Sequence, residues 1–362
     1  MNLVLPEIDG RIATRAISFK GRESRSEAHQ FARAVHVADM DGVAAVADLA
    51  KAWVGLAAKP RGTRRLGVVV SDYPAKGGRT AYAVGLDTPA SLVAVAEDLR
   101  EAGYAVGEIP DADALMRALE GRTDVSDPSP VLPLADYRSL FATLPEAFRV
   151  SVSAAWGDPA TDPDVTDGAF RFAALDLGAI TVAVQPDRGR RDVRKAEYHD
   201  TSIPPRHGYV AFYLWLREFV RIDAMVHLGT HGTLEWLPGK AAAPAPACAP
   251  VAVLGAIPVV YPFVVNNPGE AAQAKRRISA VTVGHMTPPL ARAGSHGAAA
   301  EIEALLDEFS QAQTLDARRA RMLAATILEK AREAGLAAES GVADDADEAE
   351  ALTRLDAWLC DL

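Results

Sequence analysis

Two cysteines among 362 residues, Cys248 and Cys360, exclude a disulfide framework and a four-cysteine metal site. A reducing cytoplasm is the expected location. No apolar run reaches the roughly 18 to 20 residues of a membrane span, and no opening segment joins a basic stretch, an apolar stretch and a small-residue cleavage site. Neither export nor a membrane span is expected. Positive charge is scarce: 38 lysines and arginines face 48 acids, and the net charge of -10 argues against nucleic-acid binding as the main task. The chain also lacks a dinucleotide G-x-G-x-x-G fingerprint, a nucleoside-triphosphate P-loop and an H-E-x-x-H zinc motif. The glycine-bearing loop at 75–80 matches neither phosphate pattern and reads as a surface loop.

What is present is a globular composition, 49% hydrophobic and 24% charged, long enough for two or three domains. Short apolar runs alternate with amphipathic stretches. Strands are expected at 66–70, 170–172, 180–185, 258–265 and 281–283, and helices at 88–101, 136–150, 210–220 and from Pro268 onward. A strand at 104–106 after the helix at 88–101 makes a parallel sheet the natural architecture. Strands with a turn are expected over 1–20, a packing helix over 34–56, a short helix around Leu115 and Leu119, and a strand over 149–156. The fold class is therefore α/β, with mixed, largely parallel sheets, flanking helices and a helical C-terminal segment. Proline-broken sequence near 125–135 suggests regions 1–130, 131–297 and 298–362, the last built of packing helices.

Chemistry concentrates at 222–240. An apolar run ends at His227, glycines follow at 229 and 232, and a short segment to Leu237 is stopped by Pro238 and Gly239. This reads as strand, tight loop and truncated helix. If the segment from His231 is helical, His231 and Glu235 lie one turn apart on one face, where they can share a metal ion or relay a proton. His227, His231 and Glu235 are thus the catalytic and metal-ligating candidates. A second concentration carries Arg188, Arg190, Arg191, Arg194, Lys195 and Arg206, with His199 and His207 nearby. It reads either as a binding surface for a polycarboxylate or phosphate, or as a solvated loop laced with salt bridges. Polar groups follow apolar strands at 185, 227, 266 and 285, as if several loops converge on one crevice at the carboxyl ends of a sheet. That convergence adds Asn266, Asn267 and Lys275 to the substrate-binding candidates His199, His207, Arg190, Arg191 and Arg194.

Several stretches carry a family resemblance: His227-Leu-Gly-Thr-His-Gly-Thr-Leu-Glu-Trp-Leu-Pro-Gly-Lys240; Tyr261-Pro-Phe-Val-Val-Asn-Asn-Pro-Gly-Glu-Ala-Ala-Gln-Ala-Lys-Arg-Arg277; Tyr198-His199-Asp200; Pro204-Pro205; and His207-Gly208-Tyr209. Through them the chain resembles the CobN family of cobaltochelatase large subunits and, more distantly, the H subunits of magnesium chelatase. Leu234-Glu235-Trp236-Leu237 is similar to the cobalt branch. Because large subunits of the family are several times longer, the chain is expected to be an internal piece.

The resemblance implies insertion of Co2+, as substrate, into hydrogenobyrinic acid a,c-diamide during aerobic cobalamin synthesis. It also implies that ATP and Mg2+ are used by separate AAA+ partner subunits of the CobS and CobT type. Glu235 is then the expected proton acceptor or metal-delivery residue, with His227 and His231 beside it. The basic run at 190–194 and the alanine-proline run at 241–249 depart from the family pattern. Three other readings compete: insertion of Mg2+ into protoporphyrin IX, a binding or scaffold piece inactive alone, and a zinc hydrolase using His227, His231 and Glu235.

Overall fold

The structure is a computed structural model, described over residues 3–71, 81, 83, 86–121, 131–190, 200–229, 232–264, 267–286, 298–342 and 346–360. It divides into two compact units, Met1–Pro288 and Pro289–Leu362.

The strands, in chain order, are β1 (Ser18–Arg22), β2 (Ala34–Ala38), β3 (Leu66–Ser71), β4 (Val131–Pro133), β5 (Val165–Thr166), β6 (Ala169–Arg171), β7 (Ala174–Asp176), β8 (Ile180–Gln185), β9 (Ala224–Leu228), β10 (Val259–Val264) and β11 (Val281–His285). In the first unit the main sheet has the order β11-β10-β9-β3-β8-β7. Its pairs are parallel except for the edge pair β7–β8. The fold class read from sequence is the one observed.

β3 shows why the sheet holds. All six of its residues are buried, as required of a parallel strand with helices on both faces. Val69 joins a core with the helix His207–Leu214, while Val68 and Val70 join Leu92 and Ala96 of the helix Thr88–Glu101 on the other face. Asp87 starts that second helix, accepting a bond from Ala90 N at 3.0 Å. β3 lies between β8 and β9, so segments 1–130 and 131–297 contribute to one sheet and the sheet crosses the boundary expected near 125–135. Among the described residues, β4, β5 and β6 form a smaller sheet and β1 with β2 a separate hairpin.

Several local expectations differ from what is found. Residues Val4–Ile8 form a helical turn. The expected helix at 34–56 is strand β2 followed by the helix Met40–Ala58. Residue 106 makes only an isolated antiparallel bridge to Gly178. The expected strand at 149–156 belongs to the helix Glu146–Trp156. There, valines and serines alternate as in a strand, but Phe148 and Val152, one helical turn apart, are the buried pair, while Val150 is exposed. The helical period therefore prevails. The expected helix at 210–220 is an α-helix, His207–Leu214, continued by a π-helical turn, Trp215–Val220.

The second unit is helical: Ala298–Leu315, Ala317–Glu333 and Glu348–Cys360 pack around Ile302, Ile327 and Leu355. Asp316 caps the second of these, accepting from Arg318 N at 2.9 Å and Arg319 N at 3.1 Å.

Candidate functional site

The parallel strands bring their carboxyl ends to one edge. Ser71 pairs with Gln185, Val70 with Leu228, and Val264 with His285. The strand ends at 185, 227 and 285 therefore do converge, as their sequence pattern suggested, and β3 adds Ser71 between them. Asn266 lies outside the described residues.

Past β9 the chain turns back over the sheet edge. Gly232 crosses so close to His227 that a Cβ there would sit 2.3 Å from the imidazole Cε1. That imidazole also stacks on Tyr261, with ring centroids 4.6 Å apart and an interplanar angle of 17°. His227 is fully buried, and its Nε2 lies 3.0 Å from Ser71 Oγ. Backbone and phenol both pack against the ring, and Ser71 fixes its orientation.

The turn continues through the 3-10 segment Leu234–Trp236, the truncated helix expected from Pro238 and Gly239. It places Glu235 inside the protein with no exposed surface. Glu235 Oε1 accepts from Gly232 N at 3.1 Å and Tyr261 Oη at 3.3 Å. Oε2 is buried without a hydrogen-bond partner among the described residues. Burial pushes the Glu235 carboxyl up to about 7, and the charge of Glu270 acts in the same direction, against the lowering effect of its own and Gly232 backbone N–H groups and Tyr261. A carboxyl poised near neutrality with one free oxygen can both take and give a proton.

His227 and Glu235 thus meet at Tyr261. His231 lies outside the described residues, and among the described residues no group of three or more His, Cys, Asp or Glu is arranged to hold a metal ion.

Residues whose part at this turn the sequence did not reveal hold it in place. Gln185 Oε1 accepts from Thr233 Oγ1 at 3.0 Å and Thr233 N at 3.3 Å, while its Nε2 donates to Tyr213 at 2.6 Å and Tyr209 at 3.1 Å. Burial pushes both phenols up, so they remain neutral partners. Arg188 Nη1 donates to Trp236 O at 3.1 Å, and Trp236 Nε1 donates to Glu270 Oε2 at 2.8 Å. Gln185 and Ser71 had a readable signal, a polar residue closing an apolar strand. Arg188 had none distinguishing it from its basic neighbours.

The remaining candidates separate. Arg190 is exposed; Asn267 and Lys275 are half-buried at the two ends of the helix Pro268–Ile278. Arg191, Arg194 and His199 lie outside the described residues. The idea of a basic surface from Arg188 to Arg206 needs correction at both ends. Arg188 is buried, with Nη2 bonded to Asp200 O at 2.6 Å and Ile203 O at 2.8 Å. Arg206 is buried in a two-carboxylate ion pair, Nη1 to Asp162 Oδ1 at 2.6 Å and Nη2 to Asp164 Oδ2.

His207 is also a correction. It is 1% exposed, with Nδ1 2.6 Å from Tyr137 Oη and Nε2 3.1 Å from Gly157 O, and burial pushes its pKa down. Both nitrogens serve the core, leaving none for a ligand. Arg206→Ala strands two carboxylates in that interior and is expected to cost about 3 to 5 kcal/mol in urea denaturation.

Glu235 also predicts a pH dependence of stability. Its folded-state pKa, about 7, is raised above the ordinary 4.5. The folded state therefore binds the proton more tightly. The associated stability is fully present below the unfolded pKa and is lost as pH rises through the folded one. Glu235→Gln removes the ionisation, so denaturation at pH 5 and pH 8 should show the parent losing up to about 3 kcal/mol relative to the variant over that interval.

A family model described as CobN/Magnesium Chelatase matches residues 1–362. The aerobic cobaltochelatase CobN protein of Pseudomonas aeruginosa is 45% identical, with 100% of this chain and 30% of the relative covered. The magnesium-chelatase H subunit of Chlorobaculum parvum is 32% identical, with 79% and 23% covered. The solved catalytic subunit of cobaltochelatase from Mycobacterium tuberculosis is similar with a TM-score of 0.70 and 38% identity, over 98% of this chain and 31% of that one. The chain spans about 30% of the length of the curated CobN relatives.

Proposed function

From the premise that the chain belongs to the CobN/magnesium chelatase family, we propose that it carries the metallation site of a cobaltochelatase large subunit, with Glu235 as the group that accepts a ring proton. The observation that carries this is the buried Glu235 carboxyl, poised near pH 7 with an oxygen unpartnered among the described residues. Inserting a divalent ion into a tetrapyrrole-type ring requires N–H protons to leave as the cation arrives. A desolvated carboxyl near neutral pH suits that transfer. The cobalt branch is favoured by identities of 45% and 44% to CobN proteins, against 32% and 28% to the magnesium-chelatase relatives of Chlorobaculum parvum and rice. Hydrogenobyrinic acid a,c-diamide is the proposed ring, Co2+ the metal substrate, and AAA+ subunits of the CobS and CobT type the ATP-using partners, with Mg2+ serving their nucleotide. His231, four residues before Glu235 in sequence, is the proposed metal-delivery partner, with His227 beside Glu235 in the same site.

The macrocycle's acidic substituents are proposed to meet Arg190, Arg191, Arg194 and His199, with Asn266, Asn267 and Lys275 on the neighbouring strand-to-helix connection. Arg190 supports this by its exposure. Neutralising Arg190, Arg191 and Arg194 together should weaken ring binding, and more so at low ionic strength, where attraction between exposed charges is least screened. Equal affinity at both ionic strengths would remove the basic segment from the site. The function itself is tested by spectral titration of the complete large subunit with hydrogenobyrinic acid a,c-diamide and with protoporphyrin IX, followed by addition of Co2+, Mg2+ and the ATPase partners. Metallation of the first ring by cobalt is expected; insertion of Mg2+ into the second, with no reaction of the first, would sink the assignment.

A further inference from the structure

We propose that Arg277 is a positioning residue for Glu235: it fixes the backbone of the turn that aims the carboxyl and touches neither ring nor metal. This rests on the reading of Glu235 given above. Arg277 sits in the last turn of the helix Pro268–Ile278 and is 2% exposed. Its Nη1 donates to Glu235 O at 2.6 Å, its Nη2 to Leu237 O at 2.5 Å and its Nε to Lys240 O at 3.2 Å. With Arg188 on Trp236 O, three successive carbonyls, 235 to 237, each accept from a buried guanidinium.

Neighbouring chemistry explains why the turn needs such a holder. A single 3-10 turn, Leu234–Trp236, supplies little order of its own. The carboxyl's two acceptor contacts, to Gly232 N and Tyr261 Oη, are 3.1 and 3.3 Å long. The pose of Glu235 therefore depends on where its backbone is held.

Arg277 is well suited to hold it. Burial pushes its pKa down, yet a guanidinium stays charged in proteins. Among the described residues it has no carboxylate ion-pair partner; its donors go to the carbonyls of this turn. Desolvating a cation is costly, and an apolar side chain of similar length could fill the same space. What arginine adds is a planar fan of donors that satisfies inward-facing carbonyls of an irregular segment. The same helix also reaches the turn from its other end, where Glu270 Oε2 accepts from Trp236 Nε1.

The test uses the complete large subunit with its ATPase partners, comparing Arg277→Ala, Arg277→Lys and Glu235→Gln in single-turnover cobalt insertion and ring binding. Arg277→Ala is expected to slow insertion by about 100-fold, the scale of a misplaced reacting group, with ring affinity within about twofold of the parent. Arg277→Lys keeps the charge but offers a point donor instead of a fan. It should show an intermediate rate.

Parent rates for both Arg277 variants, beside a Glu235→Gln variant that fails, would overturn the positioning role and leave the Glu235 reading standing. A Glu235→Gln variant that inserts at the parent rate overturns both. A rate loss matched by lost ring affinity also overturns the proposal, since general disorder would produce it. If Arg277→Ala does not fold, Arg277→Lys decides: a parent rate of insertion refutes the role.

Discussion

Glu235→Gln is expected to slow cobalt insertion by about two orders of magnitude or more, the scale of lost general acid–base catalysis, while ring affinity changes only slightly. The substitution keeps the shape of a side chain that is fully buried against Tyr261 and Gly232, so the pocket should persist. What disappears is a group able to hold a proton near pH 7. Ring affinity should come instead from apolar burial and from cationic contacts elsewhere. If Glu235 served only to cap its short turn, the amide would replace it and insertion would stay near normal. Separate measurement of ring binding and turnover distinguishes these cases: a variant that fails solely because it no longer binds the ring contradicts the assignment as firmly as one that works normally.

Gly232→Ala should be nearly as damaging, by a different route. An added Cβ would lie 2.3 Å from His227 Cε1 and 2.7 Å from Nε2, and that imidazole is fully buried and stacked on Tyr261, with little room to shift. Either the ring or the backbone must move by about an ångström, and Gly232 N is the closer of the two described donors to Glu235 Oε1. A displacement of that size at a reacting group costs about 100-fold in rate. Overpacking in an interior this close also costs about 1 to 3 kcal/mol of stability. Chemical denaturation and single-turnover insertion would register the two effects separately. An alanine variant with parental stability and rate would mean that the 232–235 turn is not held against His227 as described.

How much of this was legible in the sequence depends on the kind of signal. The apolar runs that became β3 and β8 are short and continuous, and their burial on both faces is what such runs imply, whereas the run that became β11 lies at the sheet edge with Val283 exposed. The loop after His227 was marked by its glycines and by Pro238. Alternation misled at 149–156, where serines between valines imitate a strand but Phe148 and Val152 bury on one helical face. Charge misled at Arg188, Arg206 and His207. A string of basic residues carries no mark of which members find Asp162, Asp164, Tyr137 or the Trp236 carbonyl tens of residues away. The same blindness hid Arg277 and Tyr261, whose roles arise from partners 26 to 42 residues distant.

Whether the Glu235 carboxylate takes a proton during metallation is decided by the pH dependence of single-turnover cobalt insertion in the parent and in Glu235→Gln. Only the ionised carboxylate can accept, so the parental rate should rise with pH through an apparent pKa of about 7. That limb should be absent from the residual activity of the variant. The same acid limb in both proteins, or a parental rate that is flat through neutrality, would show that Glu235 is not the proton acceptor.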